Sequence, residues 1–244
     1  RPYPVPESKL DVIKTEIEKM LNLGIIEPAT SGYSSPVVLV AKKDNTHRFC
    51  VDYRKLNRVT EPEIEMIPDP DIIFARVARA KFFSKMDLSK GFWQIKVNPA
   101  DRPKLAFATP VGTFQWCVMP FGTQNSPAVF TRMMRKLLAP LQDKPVLNFM
   151  DDLIIATESF EEHIELLGEV LSRLRQTGLT ARPTKCFVGF ETLDYLGHTV
   201  SHTKLRPDNS KVEQLRKCER PKTKSEVRSF LGLANYYRKF VPNF

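Results

Sequence analysis

Three aspartates are spaced so that they could hold metal ions. Asp151 and Asp152 stand side by side between two short apolar runs, Val146-Leu-Asn-Phe-Met150 and Leu153-Ile-Ile-Ala156, and read as a two-residue turn. Two adjacent carboxylates repel, so the pair costs stability unless a cation offsets it. A solvated acidic turn is the plain reading. The chemical reading is a hard-cation site, because Mg²⁺ takes one or two carboxylates and completes its shell with water and phosphate oxygens. Two ions about 4 Å apart need a further carboxylate from elsewhere in the chain. Asp87 is the candidate: it nearly closes the apolar run Phe82 to Leu88 and precedes Gly91-Phe92-Trp93. By itself Asp87 is an ordinary strand-end Asp.

The surrounding elements must bring these residues together. Ser8 with Asp11 resembles a capping box, and Leu10, Ile13, Ile17, Met20 and Leu21 recur at helical spacing until Gly24. Pro36 to Ala41 and Arg48 to Tyr53 read as a hairpin around a polar turn, Lys42 to Thr46. Residues 60–71, with Pro62, Pro68 and Pro70, read as a linker. Trp93 to Val97 reads as a strand after the Gly91 break, and Ser126 to Leu138 as a helix with Pro127 in its first turn. Ser159 with Glu162 caps an amphipathic helix ended by Gly178, and Thr223 with Glu226 caps another near the C-terminus. Strands and helices mix without strict alternation, which predicts an α+β fold.

Composition narrows the function classes. With 42% hydrophobic residues and 16 Phe among 244 residues, the chain can pack a core, which excludes wholesale disorder. No apolar run approaches the roughly 18 residues of a membrane helix. The chain opens at Arg1 rather than Met, so a piece of something longer is expected. The net charge of +9 is uneven: residues 201–244 hold 11 basic and 4 acidic side chains, so a balance of +7 falls at the C-terminal end. Cys50, Cys117, Cys186 and Cys218 form no C-x-x-C pair, and the four His form no H-E-x-x-H pattern. A zinc ribbon is therefore not expected, and the thiols suit a reducing compartment.

Five ordered blocks carry a resemblance. Met86-Asp-Leu-Ser-Lys-Gly-Phe-Trp-Gln-Ile95, Met119-Pro-Phe-Gly-Thr-Gln-Asn-Ser-Pro-Ala-Val-Phe130 and Phe149-Met-Asp-Asp152 are followed by Tyr195-Leu-Gly-His198 and the run Ser229 to Phe244. Together they resemble the reverse transcriptases of gypsy-type long-terminal-repeat retrotransposons, over nearly the whole chain. The resemblance implies a right-hand polymerase fold, with an antiparallel palm sheet packed on helices. Fingers would span 1–62 and 95–125, palm 63–94 and 126–200, and a partial thumb and start of the connection 201–244.

It also implies roles. Asp87 and Asp151 would be the principal ligands of two Mg²⁺ ions (Mn²⁺ as substitute), with Asp152 and the Leu88 carbonyl in support. Lys185 would protonate the leaving pyrophosphate. Lys42 and Arg48, on their own a solvated basic turn, would close on the triphosphate. Phe92, on its own one more core aromatic, would be the gate that rejects a ribose 2′-hydroxyl, above a floor of Phe121 and Gly122. Arg54 would touch the template, and Phe149 and Met150 the primer end. Phe149 stands where the family commonly has Tyr, a departure expected to tune activity. Tyr195, Leu196, Gly197 and His198, equally a plain hydrophobic hairpin, resemble a primer grip.

The expected partners are an RNA or DNA template with its primer, deoxynucleoside triphosphates, and no membrane. Ribonuclease H, protease and integrase would lie elsewhere in the same polyprotein, a dimer is allowed, and the place of action would be intracellular, in the cytoplasm or virus-like particles. The expected function is RNA-directed DNA polymerisation by a two-metal-ion mechanism. The alternatives are a silent nucleic-acid-binding scaffold descended from such an enzyme and an acidic-site phosphohydrolase or nuclease.

Overall fold

The computed structural model describes residues 6–42, 46–66, 68–88 and 90–244, except the Ser8 side chain. The Ser8 capping reading, most of the tip Lys42 to Thr46, and Ser89 within the first motif block lie outside the described residues. In chain order the elements are α1 (Leu10–Asn22), β1 (Ile26–Pro28), β2 (Ser35–Ala41), β3 (His47–Val51), α2 (Arg54–Asn57), α3 (Pro70–Val77), β4 (Phe82–Asp87), β5 (Phe107–Thr109), β6 (Gly112–Trp116) and α4 (Ser126–Leu138). They continue as β7 (Val146–Phe149), β8 (Asp152–Thr157), α5 (Phe160–Thr177), β9 (Phe187–Phe190), β10 (Thr192–Tyr195), β11 (His198–Ser201), β12 (Lys204–Pro207), α6 (Asn209–Arg216) and α7 (Lys224–Tyr236). The chain forms two compact units, residues 1–67 with 88–136, and residues 68–87 with 137–244. The first unit thus takes in 63–67, 88–94 and 126–136, which the expected domain boundaries give to the palm.

In the first unit a five-stranded sheet, in the order β1-β6-β5-β2-β3, is antiparallel except for the short β2–β5 pairing. Helix α1 buries Ile13, Ile17 and Met20 among Val37, Val51, Phe107 and Trp116. The 3.6-residue period of the helix and the two-residue period of the strands meet in that core. Gly24, at φ +63, follows the end of α1, where a residue with a side chain would be strained. The segment before α3 is fastened to the α4 region, with Asn125 donating to the Glu61 carbonyl and Arg132 and Arg135 pairing with Glu63 and Glu65.

In the second unit a four-stranded sheet, β7-β8-β4-β9, is antiparallel throughout, and a three-stranded sheet, β10-β11-β12, follows it. Phe83, Ile154 and Ala156 share a core with Ile73, Phe74 and Val77 of α3 and with Tyr195 and Val200. Helix α5 buries Leu166, Val170 and Leu174; Ser159 caps it by accepting from the Glu162 N–H at 3.2 Å, and Gly178 ends it at φ 72. Thr223 and Glu226 form the reciprocal capping box at the start of α7. Among the described residues no helix is long and apolar enough to cross a membrane.

Three local expectations are corrected. The linker stops at Asp69: Pro70 opens α3 at a position whose missing N–H is not needed, and the Asp69 carboxylate accepts from the Asp71 N–H at 2.8 Å. Trp93 to Val97 is not a strand. Lys90 turns left-handed at φ 48, Gly91–Gln94 form a 3₁₀ turn, and only Lys96 bridges to Val118. There Phe92 packs on Phe121 and Phe130 while Trp93 packs on Trp116, so burial does not alternate as a strand requires. Finally, the turn between β7 and β8 is Met150–Asp151, because Phe149 pairs with Asp152. Met150 takes the left-handed conformation, φ 52, that a two-residue hairpin loop can demand at its first position.

Candidate active site

That one-residue shift changes the arrangement of the acids. Asp152 is the first residue of β8 and lies directly opposite Asp87, the last residue of β4, in the antiparallel register. Directly opposed residues bring their Cβ atoms within about 5 Å, and like charges there are destabilising. Asp151 stands exposed in the adjoining turn. Two ammonium groups offset the repulsion: Lys185 Nζ lies 2.9 Å from Asp87 Oδ2, and Lys85 Nζ 3.4 Å from Asp152 Oδ1. Burial pushes the Asp152 carboxyl above the usual carboxylate range; the charges of Asp151 and Asp87 push the same way, and Lys85 opposes them.

Backbone contacts fix the two strands' ends. The Arg182 N–H donates to the Asp87 carbonyl at 2.8 Å, which seats the 3₁₀ turn Pro183–Lys185 and hence the Lys185 ammonium. The buried Tyr195 donates its hydroxyl to the Asp152 carbonyl at 3.2 Å, and burial raises that phenol's pKa. Sequence reasoning missed Lys85 and the Tyr195 hydroxyl contact. A signal for Lys85 was present: a cation two residues before Asp87 in an apolar strand shares its face.

Among the described residues no group of three or more His, Cys, Asp or Glu side chains forms a ready metal cage. Asp87 and Asp152 are brought together, and Asp151 adjoins them without closing a three-carboxylate set. This donor set fits a hard divalent cation, since carboxylate oxygens are its preferred ligands and Mg²⁺ needs only one or two of them. The ammonium groups on Asp87 and Asp152 mark the same two points as places for positive charge.

In the first unit, the β2–β3 register pairs Val40 with Arg48, and the Lys42 N–H donates to the Thr46 carbonyl at 2.8 Å, continuing the ladder. Lys42, two residues beyond Val40, therefore falls on the face of Arg48, and both are exposed. Arg54 forks onto Asp52, with its Nη2 2.7 Å from Oδ2. The Phe92 ring lies 5.1 Å from Phe121 and 5.5 Å from Phe130. Gly122, at φ +92, is tied down by Asn57, whose amide donates to its carbonyl at 2.9 Å. Leu88 is fully buried. In the second unit, Phe149 and Met150 are half-buried at the β7 end, and Tyr195 to His198 form a tight hairpin with Leu196 and Gly197 both at positive φ, 46 and 71.

The residue pattern described as reverse transcriptase (RNA-dependent DNA polymerase) matches residues 40–200. The chain belongs to the reverse transcriptase family. Relatives agree with the motif resemblance. The chain is 36% identical over 247 residues to the retrovirus-related Pol polyprotein from transposon 297 of Drosophila melanogaster, covering 99% of this chain and 23% of that protein. It is 33% identical over 242 residues to the transposon Tf2-3 polyprotein of Schizosaccharomyces pombe, covering 99% of this chain and 18% of that one. The chain thus spans about a quarter or less of the curated relatives it matches. Its fold is similar to that of the foamy viral protease-reverse transcriptase, solved with double-stranded DNA (TM-score 0.92, 28% identity, 100% of this chain and 43% of that one). The form solved with an RNA/DNA hybrid is similar too (TM-score 0.90, 28% identity, 100% and 33%). Reverse transcriptases are nucleotidyltransferases that use divalent metal ions, and this chain carries their domain in an α+β fold.

Proposed function

We propose that this chain is the polymerase part of a retrotransposon polyprotein, extending a primer 3′-hydroxyl with deoxynucleoside triphosphates on RNA and also on DNA templates. The observation that carries this reading is the register that sets Asp87 opposite Asp152 with Asp151 in the adjoining turn. Asp87, Asp151, Asp152 and the Leu88 carbonyl would hold two Mg²⁺ ions (or Mn²⁺), which when bound supply charge neutralisation at the attacking hydroxyl and the departing pyrophosphate.

The chain's own groups do the rest. Lys85 steadies Asp152, and Lys185 delivers a proton to the pyrophosphate as it leaves. Lys42 and Arg48 grip the triphosphate, where a guanidinium can take two phosphate oxygens at once. Phe92, backed by Phe121 and Phe130, excludes a ribose 2′-hydroxyl, and Gly122 lets backbone approach the nucleotide. Arg54 contacts the template, Phe149 and Met150 the primer end, and Tyr195 to His198 grip the primer. In this reading the fingers are 1–62 and 95–125, the palm 63–94 and 126–200, and the thumb 201–244, whose excess charge holds the duplex backbone by shape and phosphate rather than by sequence. Ribonuclease H, protease and integrase complete the polyprotein, which acts in the cytoplasm within virus-like particles and is able to dimerise.

Primer extension on poly(rA)/oligo(dT), run beside duplex binding, tests this. Mg²⁺-dependent extension supports it; duplex binding without extension favours the silent scaffold, and phosphodiester cleavage without extension favours a nuclease.

A further inference from the structure

Two tyrosines near the C-terminus spend their hydroxyls on a turn 40 residues earlier. The Leu196 carbonyl accepts from Tyr236 Oη at 2.7 Å and from His198 Nδ1 at 2.9 Å. The Gly197 carbonyl accepts from Tyr237 Oη at 2.9 Å and from the Asp208 N–H at 3.0 Å. This turn is strained, because Leu196 sits at φ 46, a conformation that residues other than Gly, Asn and Asp rarely adopt. At Gly197, φ 71, any side chain is strained, and a Cβ there would lie 2.8 Å from the Tyr237 hydroxyl.

Packing alone does not account for Tyr236. It is 44% exposed, so its ring contributes little burial, yet its hydroxyl is committed to the turn. His198, 1% exposed, lies beneath both tyrosine rings with Phe74 and Phe240. Lys239 pairs with Asp71 and lies 5.0 Å from the Phe74 ring centroid, fastening the same segment to α3. Immediately before the turn, Tyr195, paired with His198, donates to the Asp152 carbonyl. A continuous line of contacts therefore runs from α7 through the turn to the acids.

We infer that Tyr236 and Tyr237 are positioning residues whose hydroxyls fix the Leu196–Gly197 turn and so set the primer's 3′ end relative to Asp152. The inference rests on reading that turn as a primer grip. Phe substitutions keep both rings and remove only the hydroxyls. With a matched primer–template and saturating nucleotide, Tyr236→Phe/Tyr237→Phe is expected to lower kcat about tenfold, with nucleotide KM and thermal midpoint nearly unchanged. Gly197→Ala is expected to be more severe, and Tyr237→Phe to restore part of its loss by removing the clash.

A double variant that extends at the wild-type rate, or loses rate only with its thermal midpoint, overturns the inference, as does an additive Gly197/Tyr237 pair. A catalysis-free readout separates this from the polymerase reading. With 2-aminopurine at the primer's 3′ end, bound fluorescence is expected to differ between wild type and the double variant. Identical fluorescence overturns the inference, whereas an inactive wild type overturns the polymerase reading instead.

Discussion

Asp87 and Asp152 share one rung of a ladder, and that placement governs the residue scale. Each has an ammonium within 3.4 Å, so the folded protein tolerates opposed carboxylates by lending them Lys185 and Lys85. Such pairs are partly exposed and worth little as stability, so their value lies in holding the carboxylates aligned. Phe92 makes a separate prediction. Its ring is held by Phe121 and Phe130; in the proposed role of sugar gate, Phe92→Val would leave room beneath a nucleotide sugar. Ribonucleotide incorporation relative to deoxynucleotide should rise about tenfold or more in a primer-extension assay. Unchanged sugar discrimination would remove Phe92 from that role.

At the scale of elements, α5 is locked to its sheet by one buried imidazole. Thr157 donates its hydroxyl to the Ser159 carbonyl at 2.9 Å, so it accepts from His163 Nδ1; Nε2 then accepts from Ser84. Ser84 Oγ in turn accepts from the Gly189 N–H at 3.0 Å, so β4, β8, β9 and α5 meet on a neutral ring. Burial holds the His163 pKa below its ordinary value. The unfolded ring takes up a proton first as pH falls, so this contribution is full above about pH 6.5 and is lost progressively below it. The thermal midpoint should drop between about pH 7.5 and 5.5, and His163→Gln should shrink that drop. An equal drop in both proteins would contradict the network.

The same elements show what was legible in the sequence. Side-chain chemistry announced the helix caps at Ser159 and Thr223, the Gly178 stop and the Asp-Asp pair, because each depends on residue type at a short spacing. The turn register did not show, since nothing in Met150 advertises a left-handed backbone. Ring packing made a 3₁₀ turn of what resembled a strand at Trp93, and long-range pairing alone put Lys85 and the Tyr195 hydroxyl beside Asp152. Residue types named the acids; tertiary contacts chose their partners.

For the whole molecule, the uneven charge is the quantity with a consequence. Residues 201–244 carry a balance of +7 of the chain's +9, and Lys204, Arg206, Lys224 and Arg228 there are exposed or half-exposed. Duplex binding should weaken with salt on a log–log line whose slope counts the phosphates neutralised. Changing those four residues to Gln should flatten the slope by about 0.9 for each phosphate no longer neutralised, with little effect on thermal stability. An unaltered slope would place the duplex elsewhere.

Whether Asp87 and Asp152 at the β4–β8 rung, together with Asp151 in the adjoining turn, run metal-dependent templated synthesis is decided by single-nucleotide extension of oligo(dT) on poly(rA) across a Mg²⁺ titration. Wild type is compared with Asp151→Asn at matched thermal stability. Extension should require Mg²⁺ in the wild type and fall at least about a thousandfold in Asp151→Asn, with duplex affinity retained. Extension by Asp151→Asn at a rate near wild type, or by the wild type without any divalent ion, would refute that role for the aspartates.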